Sequence, residues 1–134
     1  MADKTLTVDI VTPEKKVFSG EVECVTAPGT EGYFQLLHNH TPFLSSIQIG
    51  EVRLKISGKD HFYSTSGGFV EISRNKVAIL AETAEKSEDI DIQRAETAKN
   101  RAEERLKSPA ENIDDMRAEL SLYRAVNRIR IASK

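Results

Sequence analysis

The sequence predicts an α+β protein in which an all-β N-terminal part is followed by two helices. Before about residue 80, apolar residues alternate with polar ones in short runs, as in strands that bury one face. Segments rich in Gly, Pro, Asn and Ser separate these runs and supply turns. After Ser87 the alternation stops, and neither Gly nor Pro occurs until Pro109, which is typical of a helix.

The all-β part is predicted to span residues 1–84. Two strand faces are clear: Leu6, Val8 and Ile10 in one strand, and Val52, Leu54 and Ile56 in another. Many short strands with almost no helical pattern predict a sandwich or a small barrel. Cys24 is the single cysteine, which excludes an internal disulfide, and its strand-like context predicts a small buried side chain.

The helical part is predicted to span residues 85–134. Asp89 or Asp91 can cap the first helix, whose small apolar residues favour the close approach of a second helix: Ala95, Ala98, Ala102 and Leu106. A second helix is expected to start at residues 108–111, which read as a capping box, or at Asn112 or Asp114. It carries two apolar stripes: Met116, Leu120 and Tyr123, and Ala118, Leu122, Ala125 and Ile129. Such a helix is expected to touch more than one neighbour, and the short link predicts an antiparallel hairpin.

The composition excludes several classes of protein. A formal net charge of -2 gives no general basic surface for nucleic acid or anionic lipid. No segment approaches the roughly 18 apolar residues of a membrane span. The charged amino terminus does not resemble a signal peptide, so a cytoplasmic or matrix-like compartment is expected.

The sequence lacks the motifs of common enzymes. It contains no phosphate-binding loop of the Walker type, no Gly-x-Ser-x-Gly elbow and no His-Glu-x-x-His. His38 and His40, with His61 as the only other histidine, have no nearby thiolate or carboxylate cluster, so we expect them to be structural or interface residues and expect no metal site. No catalytic residue is predicted.

Arginine spacing is more informative. Arg94 and Arg101 share a face of the first helix, because seven residues make almost two turns. Arg124 and Arg128 share a face of the second helix and have no acidic residue at helical spacing. Between Leu120 and Lys134 there are four basic residues and no acidic one. Either the helix dipole or an external anion offsets this charge, and the guanidinium fork suits phosphate or carboxylate.

Several segments resemble the epsilon subunit family of bacterial F-type ATP synthases. Residues 32–44, Gly-Tyr-Phe-Gln-Leu-Leu-His-Asn-His-Thr-Pro-Phe-Leu, are similar to the family's Gly-Glu-Leu-Gly-Ile-Leu-Pro-Asn-His-Ala-Pro-Leu-Leu. Residues 66–71 and 77–85 resemble the next two family blocks. Residues 90–95, Ile-Asp-Ile-Gln-Arg-Ala, match the motif of members that bind ATP, and the arginine-bearing blocks at residues 117–120 and 124–128 resemble their last helix.

The resemblance implies a sandwich of about ten strands followed by a regulatory helical hairpin. It implies a non-catalytic subunit of the F1 sector of a proton-transporting synthase, at the cytoplasmic face of the bacterial membrane as a peripheral protein. The sandwich would attach to the gamma subunit and the c ring. The extended helices would reach the alpha/beta catalytic head and inhibit ATP hydrolysis. H⁺ and Na⁺ both remain open as the coupling ion.

No cofactor is implied, but ATP as a regulatory ligand would favour the folded hairpin. The residues implied for ATP binding are Glu85, Asp91, Arg94, Arg101, Arg124 and Arg128. The first two would lie at the adenine end and the arginines mainly at the phosphates. Tyr33, His38 and His40 would belong to the rotor interface, where Tyr33 replaces a common Glu, Gln35 replaces Gly and His38 replaces Pro.

Two alternatives follow from the arginine faces if the resemblance is set aside. The first is a free-standing ATP-sensing domain. The second is a β-sandwich adaptor that binds an acidic protein and no nucleotide. Co-purification with catalytic subunits separates the main interpretation from the first, and ATP titration separates it from the second.

Overall fold

A computed structural model describes residues 4–107 and 115–134, and this part of the chain forms eight strands, one 3-10 turn and two helices. The strands are β1 Leu6–Val11, β2 Lys16–Val22, β3 Cys24–Gly29, β4 Gly32–Leu37, β5 Phe43–Ile56, β6 Lys59–Ser73, β7 Lys76–Ala81 and β8 Ala84–Lys86. The 3-10 turn at Ser87–Asp89 leads to α1 Ile92–Lys107 and then to α2 Asp115–Ala132. The predicted fold class, a β-sandwich followed by two helices, is confirmed.

The strands pair in the order β2-β1-β7-β6-β5-β3-β4, and β8 pairs with β6. The β1–β7 pair is parallel and the other pairs are antiparallel. β5 has 14 residues and β6 has 15, and the two pair along nearly their whole length. Residues 63–65 of β6 pair with β8, whereas residues 68–73 pair with β7.

The expected number of about ten strands was therefore too high for the described residues, which form eight. Two of these strands are unusually long, since a typical strand has about five or six residues. β6 remains continuous while its two ends pair with different neighbours, β8 at residues 63–65 and β7 at residues 68–73.

The core follows the predicted alternation. Leu6, Val8 and Ile10 of β1 are all 0% exposed, and Val52 and Leu54 of β5 are equally buried. Each such aliphatic side chain contributes about 1.5–3 kcal/mol by leaving water. Ile56, the third member of the second predicted face, is partly buried against this core, and Cys24 is buried as expected.

One glycine is required where β6 changes partners. Gly68 has a φ of 146°, which disfavours any residue with a side chain. A Cβ atom at this position would also collide with the backbone carbonyl of Leu80 on β7. The close approach of β6 and β7 therefore depends on this glycine.

The helices pack through small residues, as predicted. Ala95 and Ala102 of α1 are buried, as are Ala118 and Ala125 of α2. Side chains of this size let two helix backbones approach closely. The predicted start of the second helix, at residues 108–111 or at Asn112 or Asp114, lies outside the described residues.

The two predicted stripes of α2 have different environments. The stripe that contains Ala118 and Ala125 is the more buried one, whereas Met116 and Tyr123 of the other stripe are 71% and 67% exposed. The helix nevertheless touches β5, β6 and the 3-10 turn as well as α1, which confirms the expectation of more than one neighbour. Neither described helix is long and apolar enough to cross a membrane.

The last turns of α2 dock on the sandwich through a mainly polar contact. The amide nitrogen of Asn127 donates hydrogen bonds to the Gly50 carbonyl at 3.0 Å and to the Ser64 hydroxyl at 3.1 Å. Ile131 is fully buried beside it. Lys134 Nζ lies 2.9 Å from a carboxylate oxygen of Glu51, a residue that is only 5% exposed.

Candidate functional site

A cavity of about 600 Å³ opens between the sandwich and the two helices. The β1–β2 turn, the middle of β6, the β7–β8 segment and both helices contribute to its walls. Its lining residues are Thr12, Glu14, Lys15, Ser64, Thr65, Ser66, Glu82, Thr83, Ala84, Glu85, Arg94, Ala98, Ser121, Arg124, Ala125 and Arg128. The cavity is within the usual size range of a small-molecule site, about 300–1,000 Å³.

Three arginines from two helices line this cavity. Arg94 comes from the first turn of α1, and Arg124 and Arg128 come from one face of α2, where a spacing of four residues makes them neighbours. Among the described residues, no carboxylate lies at ion-pairing distance from the guanidinium of Arg94 or of Arg124. Two of the three cations are therefore available to an anionic ligand.

Arg128, by contrast, has a carboxylate partner that helical spacing does not reveal. Its Nε lies 2.6 Å from Glu85 Oε1, and its Nη2 lies 3.0 Å from Glu85 Oε2. Glu85 belongs to β8, which is 43 residues away in the chain. The sequence correctly showed that α2 offers no acid to Arg128, but the expectation that only the helix dipole or an external anion offsets its charge was wrong, because the sandwich supplies a carboxylate.

The pairing also affects the implied roles of these residues. The resemblance assigns Glu85 to the adenine end of a nucleotide and Arg128 to its phosphates. In the structure the two side chains are in direct contact, and both are partly exposed, at 35% for Glu85 and 22% for Arg128. One carboxylate and one guanidinium thus share the same side of the cavity.

Two of the implied ATP-binding residues do not line the cavity. Asp91 is exposed and precedes α1, where its carboxylate accepts a hydrogen bond from the Arg94 backbone N–H at 3.1 Å. This contact caps the helix and orients the turn that carries Arg94. Arg101 is exposed and lies seven residues beyond Arg94, about 10 Å farther along the helix axis.

Sequence reasoning missed the sandwich side of the cavity. Thr12 and Lys15 in the β1–β2 turn were not singled out, and neither was Ser121 on the α2 wall. The backbone N–H of Lys15 donates to the Thr12 hydroxyl at 3.3 Å, which stabilises this turn beside the cavity. No periodic pattern links a turn at residue 15 to a helix that begins 100 residues later, so only the tertiary fold reveals these residues.

The three residues implied for the rotor interface do not form one cluster. Tyr33 is 53% exposed, and its hydroxyl accepts a hydrogen bond from the Glu51 backbone N–H at 3.2 Å. His38 lies five residues farther along, just beyond the end of β4, roughly 16 Å from Tyr33 along an extended chain. His38 Nδ1 lies 3.2 Å from the Thr5 carbonyl and His40 Nδ1 lies 2.7 Å from the Thr41 carbonyl, so each ring nitrogen donates.

The loop in which His38 replaces the family's Pro is held by hydrogen bonds. Asn39 adopts a left-handed conformation with a φ of 66°, and Asn75 in the β6–β7 turn does the same with a φ of 63°. The Asn39 backbone N–H donates to the Asn75 side chain at 2.6 Å, and the Asn75 amide donates back to the Asn39 side chain at 3.3 Å. The histidine-bearing loop is thus tied to the far end of the sheet.

The outer face of the sheet carries an apolar strip, formed by Leu44 of β5, Phe69 of β6 and Leu80 of β7. These side chains are 66%, 56% and 53% exposed. Phe69 and Leu80 are direct cross-strand partners, and Leu44 is diagonal to Phe69. Within the described residues no group of three or more His, Cys, Asp or Glu side chains is placed to hold a metal ion.

Comparison with known proteins identifies the family. Residues 5–87 match the model of the ATP synthase delta/epsilon chain, beta-sandwich domain, and residues 88–133 match that of the delta/epsilon chain, long alpha-helix domain. The ATP synthase epsilon chain of Nitratidesulfovibrio vulgaris strain DP4 is 51% identical over 129 residues, which cover 96% of both chains. The chain belongs to the ATP synthase epsilon family. The Bacillus pumilus epsilon chain is 46% identical over 98% of this chain and 99% of that one.

Solved structures of two ATP synthases contain a chain with the same fold. A chain of the Euglena gracilis mitochondrial ATP synthase, in a structure of OSCP, F1 and the c ring, aligns with a TM-score of 0.82 and 21% identity over 97% of this chain and 82% of that one. A chain of the Tetrahymena thermophila mitochondrial ATP synthase central stalk and c ring aligns with a TM-score of 0.59 and 14% identity, over 96% and 93% of the two chains.

Membership of the epsilon family confirms the resemblance that the sequence motifs indicated. The epsilon chain is a non-catalytic subunit of ATP synthase, which also confirms that the chain is not an enzyme in its own right. The two family models meet between residues 87 and 88, while the boundary after residue 84 remains a prediction. Membership of this family favours the interpretation as an ATP synthase subunit over the two alternatives, a free-standing ATP-sensing domain and an adaptor.

Proposed function

We propose that this epsilon subunit regulates a rotary ATP synthase by sensing ATP in the cavity between its sandwich and its hairpin. In this proposal the docked hairpin is the non-inhibitory state. The extended hairpin reaches the alpha/beta head and inhibits ATP hydrolysis. ATP shifts the balance towards the docked state because it binds that state better, which is the only way a ligand changes a conformational equilibrium.

The observation that carries this proposal is the convergence of Arg94, Arg124 and Arg128 on one cavity. A planar guanidinium binds phosphate oxygens with two parallel hydrogen bonds, and a polyphosphate chain offers several such oxygens. Because these arginines belong to both helices, a ligand that spans them holds the helices together. It also contacts the sandwich through the β6 and β7–β8 walls, so it favours docking as well as helix pairing.

The same cavity supports binding without hydrolysis. Its acidic residues are Glu14, Glu82 and Glu85, and Glu85 is engaged by Arg128. Hydrolysis requires a group that positions and activates a water molecule, usually together with metal ions at the phosphates. The arginines of the cavity can bind phosphate reversibly. We therefore propose ATP as a regulatory ligand and not as a substrate or a required cofactor.

Attachment to the rotor is proposed for the sandwich. The apolar strip is supported as a binding surface because its neighbouring side chains are more than half exposed, and contiguous apolar patches of this kind mark protein interfaces. We propose that this strip contacts the gamma subunit, and that Tyr33, His38 and His40 face gamma or the c ring. The subunit would then lie at the cytoplasmic face of the bacterial membrane as a peripheral protein.

Calorimetric titration of the isolated subunit with ATP tests nucleotide sensing. We expect saturable binding and no release of phosphate. Arg124→Ala should weaken ATP binding by roughly tenfold or more, the usual effect of losing hydrogen bonds to a charged group. Arg105→Ala is the matched control, because Arg105 is exposed on α1 and does not line the cavity. Absence of binding at millimolar ATP, or equal effects of the two variants, would exclude this site.

A further inference from the structure

The ion pair between Glu85 and Arg128 occupies donor groups that a phosphate would also use. We propose that Glu85 is a resident competitor for the phosphate chain: without a ligand it holds the Nε/Nη2 edge of Arg128, and it yields this edge when a polyphosphate binds there. This inference rests on the proposed nucleotide site, and it gives Glu85 a second role there, as a group that tunes the affinity for phosphate.

The geometry of the pair supports competition. Glu85 contacts Arg128 through Nε and Nη2, the two N–H groups on one edge of the guanidinium, at 2.6 and 3.0 Å. Bidentate binding of a phosphate at this edge requires the same two donors, since the guanidinium is planar and its donors point in fixed directions. The carboxylate and the phosphate therefore cannot both occupy this edge.

The environment makes the exchange feasible. Both side chains are partly exposed, at 35% and 22%, so a released Glu85 carboxylate can regain water rather than remain buried without a partner. The neighbouring Arg94 and Arg124, which lack a carboxylate at ion-pairing distance within the described chain, can attract the ligand first. Arg128 then joins the ligand at the cost of one ion pair.

The pair also joins the sandwich to the hairpin, because Glu85 lies on β8 and Arg128 lies on α2. Glu85 thus contributes to docking when no ligand is present. When a phosphate chain binds, it replaces Glu85 as the partner of Arg128. The competition lowers the affinity of the site for the phosphate chain.

Inorganic triphosphate is the probe that tests this inference, because it offers the phosphate contacts without the base. If Glu85 competes, Glu85→Gln should bind triphosphate about three- to fivefold more tightly than the wild type, the size expected for loss of a partly exposed ion pair. If Glu85 instead orients Arg128 for a shared ligand, the same substitution should weaken binding. The sign of the change distinguishes the two arrangements.

Glu82→Gln is the matched control, because Glu82 lines the same cavity and its described hydrogen bond is made by its backbone, to Gly67. If only the more positive potential mattered, both variants would gain the same affinity for triphosphate. Competition predicts a larger gain in affinity for Glu85→Gln than for Glu82→Gln. That excess should vanish when Arg128 is also replaced by Ala. Glu85→Asp, which keeps the charge but shortens the side chain, should also bind triphosphate more tightly than the wild type.

Circular dichroism of each variant shows whether the helices remain folded, so that a loss of structure is not read as a loss of binding. Triphosphate binding by the wild type with no excess for Glu85→Gln over Glu82→Gln would overturn the competition while leaving the nucleotide site intact. Failure of both triphosphate and ATP to bind the wild type would overturn the proposed site itself, and the competition with it.

Discussion

Asn127 provides the sharpest test of how the hairpin is held on the sandwich. Its side chain is 6% exposed and lies between α2 and the paired strands β5 and β6. The amide nitrogen donates to Gly50 and to Ser64, while the amide oxygen accepts a hydrogen bond from Arg130 at 2.9 Å. Replacement by Ala removes all three bonds and leaves the backbone of the helix unchanged.

The size of the effect follows from the two bonds that cross the interface. A hydrogen bond contributes about 0.5–1.5 kcal/mol net, so the two together contribute about 2 kcal/mol. The Gly50 carbonyl keeps a second, longer bond at 3.4 Å from the Thr65 hydroxyl, so it is not left wholly without a donor. A loss of about 2 kcal/mol changes the ratio of docked to undocked hairpin roughly 30-fold.

Hydrogen exchange measured by NMR reports this ratio residue by residue. Amides of α2 that exchange through undocking should lose protection by roughly 30-fold in Asn127→Ala, while amides of β1 and β7 keep theirs. Asn100→Ala is the matched control, since Asn100 is exposed on α1, and it should leave both sets unchanged. In the assembled synthase, the proposed function predicts that Asn127→Ala lowers ATP hydrolysis, because more subunits adopt the extended, inhibitory state.

Equal protection of α2 in Asn127→Ala and in the wild type would show that these hydrogen bonds do not hold the hairpin. A uniform loss of protection through the sandwich would show that docking and sandwich stability are one cooperative unit. The first result would refute the role assigned to Asn127, and the second would refute the view that the docking contact opens separately from the core.

Two further predictions concern the sandwich. Burial, with Glu88 and Asp89 adding to it, raises the pKa of Tyr63, so the folded state holds this proton more tightly than the unfolded state does. The contribution of Tyr63 to stability is therefore fully present below the ordinary tyrosine pKa of about 10 and is lost as the pH rises above it. In urea denaturation, the free energy of unfolding should fall less at alkaline pH for Tyr63→Phe than for the wild type. Phe69→Arg, on the apolar strip, should abolish co-purification with gamma while changing the melting temperature little, and undiminished binding would contradict a role for this strip.

The sequence predicted those parts of the fold that depend on local periodicity. The alternation of Leu6, Val8 and Ile10 is reproduced in their burial, because a strand with one buried face must alternate. The small residues of α1, such as Ala95, likewise lie at the helix contact. The number of about ten strands came from the family resemblance and not from the local pattern, and the described residues form eight.

The candidate site was predictable only in part. Helical spacing placed Arg124 and Arg128 on one face, and the motif at residues 90–95 pointed to Arg94. The partner of Arg128 and the role of Lys15 in the cavity wall were not predictable, because they depend on where α2 docks. That position is set by specific polar contacts such as those of Asn127, and a polar residue in a helix gives no indication of its distant partner.

The polarity of the docking contact explains how one chain combines a stable part with a movable part. The core of the sandwich consists of side chains such as Val8 and Leu54. Exposing one of them to water costs about 1.5–3 kcal/mol of stability. The described contacts between the hairpin and the sandwich include two ion pairs and two hydrogen bonds, beside the fully buried side chain of Ile131. Polar groups regain hydrogen bonds to water when they separate, so undocking costs far less than unfolding. At ten times its dissociation constant, a ligand adds about 1.4 kcal/mol to the docked state, which changes the docked-to-undocked ratio about tenfold yet adds little to a core of this kind.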